Sequence, residues 1–272
     1  PKAARCPSQD IIKQLEAFVM DESQPPVPRL IAGMLLVLTH GVLRWADIQR
    51  SVDVALTSHA VMATADMKKQ GNRSWVAIRT GFTNKDWGGQ FMKLLTKFSM
   101  PTSEYVFRRA NCTYTDFQDR PASYGDSMNA MRFLMVKYLG MSIEDACTFS
   151  LHSWRHFYPT ASRQMLMSND LGCEIGHWVQ GSRMPERYDA VASSRELAAK
   201  NSIVTEFQMG RQLAKPGELP VIPPLMSQVS RKFLQEVRDT PVTPFPDVVI
   251  DDPSLGSKPE DDGIPKFCVV VH

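Results

Sequence analysis

The sequence predicts a mainly α-helical protein with one small antiparallel β-sheet. Apolar residues recur at helical spacing over most of the chain, and a short run of strand-like segments interrupts them near residues 52–79. The apolar fraction of 43% and the aromatic fraction of 9% are enough for a sizeable core. A length of 272 residues fits one large domain or two small ones.

The first forty residues predict two helices. Residues 9–20 carry an apolar face, and Ser8 precedes them as a suitable N-cap. The polar and proline-rich segment 21–28 predicts a linker, in which Pro28 suits the start of the second helix. Gly41 marks the end of that helix or a bend in it.

The sheet is expected directly after a short helix over residues 43–49. Three strands are predicted at 52–56, 60–64 and 74–79, and the polar stretch 68–73 predicts the turn between the last two. Beyond the sheet only helices are expected, at 87–98, at 126–139, after the N-cap Ser142, at 152–167 with Pro159 as a kink, and at 195–213.

Composition changes sharply near residue 214. Ten of the nineteen prolines lie beyond that point, and residues 213–272 hold six Lys/Arg and nine Asp/Glu, a net charge of −3. Residues 1–212 hold 25 basic and 20 acidic residues, a net charge of +5. We therefore expect a mildly basic body, compatible with a polyanionic partner, and a Pro-rich acidic tail over 214–272 that is extended or disordered.

Several classes of protein are disfavoured. The five cysteines are scattered without a CxxC pair, which argues against a zinc site and favours free thiols in a reducing compartment. No run of about 18 apolar residues predicts a membrane span. The chain starts PKAARCPSQD, without an initiator Met or a signal peptide, which suggests a fragment or a processed product.

One segment, residues 151–188, concentrates chemically useful side chains. His152 and Arg155 are three residues apart and share a helix face, where a guanidinium can clamp phosphate oxygens. His177 lies in a Gly-His-Trp triplet and can move a proton near neutral pH. Tyr188 follows, and a phenol surrounded by cations can act as a nucleophile.

A second segment far upstream carries Arg44, with Asp47 three residues later to support it. Each feature also has an ordinary structural interpretation. His152 and Arg155 can be a surface pair, His177 can pack beside a core Trp, and Arg44 can simply form a salt bridge with Asp47.

Taken together, these motifs resemble the catalytic domain of the tyrosine recombinases, also called the phage integrase family. The matching stretches are Gly41-Val42-Leu43-Arg44 with Asp47, His152-Ser153-Trp154-Arg155-His156, Ile175-Gly176-His177-Trp178 and Arg187-Tyr188. The separations are 108 residues from Arg44 to His152, 22 from Arg155 to His177 and 11 from His177 to Tyr188. The resemblance covers about residues 28–210 and implies a tyrosine-recombinase-like catalytic domain over 28–213.

The resemblance implies a reaction that needs no metal and no cofactor. Tyr188 is expected to attack a DNA phosphodiester and form a 3′-phosphotyrosyl intermediate. Arg44 and Arg155 are expected to hold the non-bridging oxygens, while His152 and His177 add hydrogen bonds and help to move the tyrosine proton.

The family also places a lysine in the β-hairpin as general acid. Its usual Thr-Lys-Thr-like stretch is replaced here by Met62-Ala63-Thr64-Ala65-Asp66. Lysines occur only in the following turn, as Lys68 and Lys69. Lys68, one residue nearer the strand, is the preferred assignment, and Lys69 or a lost general acid are the alternatives.

Three functions follow as hypotheses. The first is a site-specific recombinase or integrase of a mobile element, acting as a homo-tetramer on double-stranded DNA. The second is a recombinase-derived DNA-binding protein with weakened catalysis, and the third is a type IB topoisomerase. All three imply an intracellular protein located with DNA, in the nucleus of a eukaryote or the cytoplasm or nucleoid of a bacterium, and not in a membrane. Residues 1–27, an N-terminal helix and linker, correspond at most to a remnant of the family's DNA-clamp domain.

Overall fold

The computed structural model describes residues 5–65, 73–98, 105–167, 171, 175–176 and 190–213. About half of the described residues are helical, beside a small antiparallel sheet, which confirms the predicted fold class at this level. The helices are α1 (Gln9–Met20), α2 (Pro26–His40), α3 (Trp45–Gln49), α4 (Trp87–Phe98), α5 (Tyr124–Lys137), α6 (Ile143–Cys147), a 3-10 helix (Ser153–His156), α7 (Phe157–Gln164) and α8 (Ala190–Gln208).

The three predicted strands form one antiparallel sheet in the order β1-β2-β3. Their bounds are Ser51–Leu56, Ala60–Ala65 and Arg73–Ile78. A second antiparallel pair, β4 (Arg108–Ala110) and β5 (Phe117–Pro121), was not predicted. Its residues are mostly polar and none of them is buried, so they lack the alternation of apolar side chains that signals a half-buried strand.

Helix α2 is the centre of the fold. Every residue from Val27 to His40 is buried, because α1, α4, α5 and the 3-10 helix all pack around it. Close packing against α4 depends on Gly33, where an added Cβ would lie 2.5 Å from a ring carbon of Phe91. The helix starts at Pro26, two residues before the expected Pro28. Both prolines are tolerated in the first turn, because the main-chain N–H that proline lacks would have no acceptor within the helix there.

The end of α2 turns the chain towards Arg44. Gly41 is the C-cap of the helix. A Cβ atom added at this position would lie only 2.7 Å from the carbonyl oxygen of Val37, so the site favours glycine. Val42 adopts the left-handed conformation with φ of 54°, and the amide of Leu43 donates to the Leu38 carbonyl at 3.1 Å. Left-handed backbone is rare for a β-branched residue, and here the side chain is held by burial, at 1% exposure.

Side-chain hydrogen bonds tie α3 to the sheets. The hydroxyl of Ser51 donates to the Asp47 carbonyl at 2.8 Å and accepts from the indole N–H of Trp75 at 2.8 Å. The amide of Gln49 exchanges hydrogen bonds with the main chain of Phe107, which leads into β4. These buried contacts fix the short helix that begins beside Arg44.

A fully buried polar network joins α1, α2 and α7. The His40 imidazole lies 2.7 Å from the Tyr158 hydroxyl through Nδ1 and 3.1 Å from the Glu16 carboxylate through Nε2. Glu16 also accepts the main-chain amides of Phe82 and Thr83 at 3.0 and 2.8 Å. All donors and acceptors are satisfied when Tyr158 donates to Nδ1 and Nε2–H donates to Glu16. Burial raises the pKa of Tyr158 well above its ordinary value, which keeps the hydroxyl a donor.

Helix α8 packs on its own chain. Phe207 is 1% exposed and contacts the rings of Phe82 and Phe157 at centroid distances of 5.7 and 5.3 Å. Lys200 is fully buried and donates to the Val76 carbonyl of β3 at 3.0 Å, beside an ion pair with Glu196. The described part of this helix is therefore an integral part of the core.

The described residues all belong to one compact unit, and α1 contributes Ile12 and Leu15 to the same core as α2. The turn containing Lys68 and Lys69 and the tail 214–272 lie outside the described residues, so the expectations for them stay predictions. None of the described helices is long and apolar enough to cross a membrane.

Candidate active site

His152 and Arg155 lie on a tight local structure. The predicted continuous helix over 152–167 is in fact the 3-10 helix, with His152 as its N-cap, followed by α7. Side chains three residues apart are eclipsed in a 3-10 helix, so the imidazole and the guanidinium project on one side. Pro159 falls in the first turn of α7, where its missing amide costs no hydrogen bond.

The 3-10 helix is firmly anchored in the core. Trp154 is fully buried, and its indole N–H donates to the Met131 sulfur of α5 at 3.0 Å. The hydroxyl of the buried Ser153 accepts the main-chain amide of Ser150 at 3.0 Å. Ser153 and Trp154 are therefore buried, whereas His152 is exposed at the surface.

Arg155 is 5% exposed and links two parts of the sequence. Its Nη2 donates to the Gly176 carbonyl at 2.9 Å, and Gly176 is the residue before His177 in the chain. The neighbouring Ile175 is fully buried. The guanidinium is thus held in position by a main-chain carbonyl within the third predicted motif, next to His177 in the sequence.

Arg44 occupies the N-cap position of α3 and is exposed. The carboxylate of Asp47, which is 2% exposed, accepts the main-chain amide of Arg44 at 3.0 Å. Asp47 therefore supports Arg44 through the backbone. Among the described residues no carboxylate forms an ion pair with the Arg44 guanidinium, so the simple Arg44–Asp47 salt bridge is not found.

These elements converge on His152. Partial burial and the positive charges of Arg155 and Arg44, in that order, lower the pKa of the His152 imidazole below its ordinary value. Arg44 and His152 are 108 residues apart in the sequence, and the 3-10 helix that His152 caps packs on α2, the helix that ends just before Arg44.

Sequence reasoning missed one member of this group, His156. Its ring is half-buried and lies edge-on to His152, with a centroid distance of 4.8 Å and an interplanar angle of 82°. Burial, His152 and Arg155 lower its pKa. Its Nε2 is buried and has no hydrogen-bond partner among the residues that the structure describes. In the sequence, the only feature that points to His156 is its position four residues after His152 in the same motif.

The remaining predicted site residues, Lys68, His177 and Tyr188, lie outside the described residues, as does the alternative Lys69. Their roles remain predictions. Within the described parts of the chain, no group of three His, Cys, Asp or Glu side chains could hold a metal ion. Burial raises the pKa of the Cys6 thiol to about 11, which makes it a poor nucleophile.

The described arrangement suits an oxyanion. Two guanidinium groups offer fixed positive charge and forked donors that match phosphate oxygens. The lowered pKa of His152 keeps the imidazole neutral at pH 7, so it can either donate a hydrogen bond or accept a proton. Anion binding and proton transfer can therefore occur side by side.

No family model and no curated protein sequence matches the chain. Among solved structures, the chain is similar to the FLP recombinase of a complex with a Holliday junction, at 13% sequence identity and a TM-score of 0.43. The similarity covers 68% of this chain and 45% of the recombinase chain, so this chain spans less than half of that protein's length. These values are too low to assign the chain to a family.

Proposed function

We propose that this protein cuts and rejoins double-stranded DNA through a covalent bond to Tyr188. The observation that carries the proposal is that the 3-10 helix with His152 and Arg155 packs on α2, the helix that ends just before Arg44. Arg155 also donates to the Gly176 carbonyl next to His177 in the sequence, and the positive charges of Arg155 and Arg44 act on His152. The two arginines come from distant segments, in the order and spacing that the resemblance to the tyrosine recombinases implies. Such a clamp is most useful where negative charge builds up on phosphate oxygens in a transition state.

The proposed step exchanges one phosphate ester for another. The Tyr188 oxygen forms a bond to phosphorus as its proton passes to His152, and the bond from phosphorus to the 5′ oxygen breaks. Lys68 donates a proton to that leaving oxygen. Arg44, Arg155 and His177 bind the non-bridging oxygens.

The electrostatics of His152 support its role as the base. A base must be unprotonated at the working pH, and burial together with the neighbouring cations Arg155 and Arg44 lowers the pKa of His152, which favours the unprotonated form. The reverse step uses the same groups, because the phosphotyrosyl bond keeps the energy of the original ester. Strand exchange between two DNA sites then requires several copies, and we propose a homo-tetramer located with DNA in the cell.

The arginines offer the first test of this function. The full chain is mixed with a library of random-sequence DNA duplexes, and covalent complexes are captured after denaturation. Arg44→Ala and Arg155→Lys are expected to reduce the single-turnover rate of complex formation at least about 100-fold. Lysine keeps the charge of Arg155 but loses the forked geometry. Arg50→Ala, at the exposed far end of α3, is the matched control and is expected to cleave normally.

Rates near wild type in both arginine variants would contradict the proposed clamp. Retained DNA binding without any cleavage by the wild-type chain would favour the DNA-binding alternative. Relaxation of supercoiled plasmid without strand exchange would favour the topoisomerase alternative.

A further inference from the structure

His156 has no assigned part in the proposed reaction, yet its ring lies against the ring of His152. We propose that His156 is a positioning residue whose Nε2 accepts a hydrogen bond from the His152 imidazole once His152 carries a proton. The source of that proton, Tyr188, rests on the proposed function. The pairing of the two imidazole rings does not depend on the proposed function.

The first support is geometric. The ring centroids are 4.8 Å apart, and a hydrogen bond between ring nitrogens needs about 3 Å between the two atoms. The proposed bond requires a rotation of the exposed His152 ring that brings one of its nitrogens to this distance from Nε2 of His156. His156 itself is half-buried at the junction of the 3-10 helix and α7, so it provides the fixed partner.

The second support is the unsatisfied nitrogen. The Nε2 atom of His156 is enclosed by the protein, and no residue in the described part of the chain forms a hydrogen bond with it, although a buried polar atom without a partner is costly. A protonated His152 carries N–H donors on both ring nitrogens. One can bind Nε2 of His156 while the other faces the substrate.

The third support is the charge of the surroundings. Arg155 on the 3-10 helix and Arg44 at the start of α3 are the cations that act on this pair of histidines. His152 and Arg155 both oppose a positive charge on His156. His156 therefore stays neutral when His152 becomes an imidazolium, and a neutral imidazole is the form that can accept a hydrogen bond.

Nuclear magnetic resonance of the full chain, labelled with ¹⁵N in its histidines, tests the pairing without any DNA. Below the titration midpoint of His152, we expect a scalar coupling through the hydrogen bond between a His152 nitrogen and Nε2 of His156. His156→Phe is expected to lower the midpoint by about 0.5–1 pH unit, because one hydrogen bond to the charged form is lost. His156→Gln keeps an acceptor and should largely preserve the midpoint.

No coupling, together with the same midpoint in wild type and His156→Phe, would overturn the pairing. His59→Phe, an exposed histidine in the turn between β1 and β2, is the control and should not shift the midpoint of His152.

A kinetic measurement then tests the positioning role. His156→Phe is expected to slow single-turnover cleavage about tenfold with little change in DNA affinity, and His156→Gln should restore most of the rate. Equal rates in Phe and Gln variants would refute positioning through a hydrogen bond. If the wild-type chain does not cleave DNA, the proposed function fails, and the coupling experiment still decides whether the ring pair exists.

Discussion

At the scale of single residues, the sequence predicts Arg44, His152 and Arg155 as site residues because each stands in a short motif at a characteristic spacing, and their roles stay predictions. It could not identify His156, whose significance lies in an enclosed nitrogen and a contact between two rings. It also could not show that Asp47 binds the backbone of Arg44 and not its side chain. Both facts depend on three-dimensional packing.

The lowered pKa values of His152 and His156 predict that acid destabilises the folded protein. Both groups take up protons more readily in the unfolded chain, where their pKa is near the ordinary value of 6.5. Above pH 6.5 both histidines are mainly neutral in the folded and the unfolded chain, so their titration does not change the free energy of unfolding. Below pH 6.5 the unfolded chain binds more protons, and the free energy of unfolding falls. This decrease reaches its full size once the pH is below the pKa that each histidine has in the folded protein.

His156→Gln removes one of these groups, so the loss of stability between pH 7.5 and 5.5 should shrink. We expect a change on the order of a few tenths of a kcal/mol, because solvent screens a half-buried ring. Urea unfolding at each pH measures it. His59→Gln serves as the exposed control, and an equal change in both variants would disprove the interpretation.

The buried Glu16 carboxylate should be a major stabilising residue. Glu16→Ala leaves the His40 imidazole and two main-chain amides without an acceptor, and we expect it to lower the free energy of unfolding by about 3–5 kcal/mol. Glu22→Ala, at an exposed position just after α1, should cost less than about 0.5 kcal/mol. Chemical denaturation compares the two, and similar small effects would show that the network is not stabilising.

At the scale of secondary-structure elements, the sequence predicted long amphipathic helices best. Helix α4 has the predicted bounds, 87–98, and α1 has the predicted bounds, 9–20. The break between the 3-10 helix and α7 was missed, because tertiary packing of Trp154 decides it and not local propensity. The β4–β5 pair was missed because polar, exposed strands carry no alternating pattern.

Packing of α8 on its own chain gives a prediction at this scale. Phe207→Ala should lower the free energy of unfolding by about 3–5 kcal/mol, since it opens a cavity against Phe82 and Phe157. Met209→Ala, 61% exposed and two residues later, should have almost no effect. Thermal or urea unfolding of a dilute sample measures both. A neutral Phe207→Ala would mean that this helix does not contribute to the core of its own chain.

At the scale of the whole molecule, the fold explains how distant motifs meet. The buried helix α2 leads directly to Arg44, and the 3-10 helix that carries Arg155 packs against the same helix. The sequence predicted the fold class, because the periodicity of apolar residues can be recognised without a structure. The order and spacing of the motifs are likewise properties of the sequence itself. It could not predict the depth at which α2 is buried on all sides, since that depends on every neighbouring helix.

The central claim is that Tyr188 becomes covalently joined to DNA. The full chain is incubated with a library of random-sequence duplexes carrying nicks, which let the cleaved fragment diffuse away and so trap the intermediate. After denaturation and digestion, mass spectrometry of the DNA-linked peptides locates the modified residue. We predict a phosphotyrosyl bond at Tyr188 that disappears in Tyr188→Phe, while the variant still binds DNA because phosphate contacts supply most of the affinity. An adduct that persists in Tyr188→Phe, or a wild-type chain that binds DNA and forms no adduct, would contradict the claim.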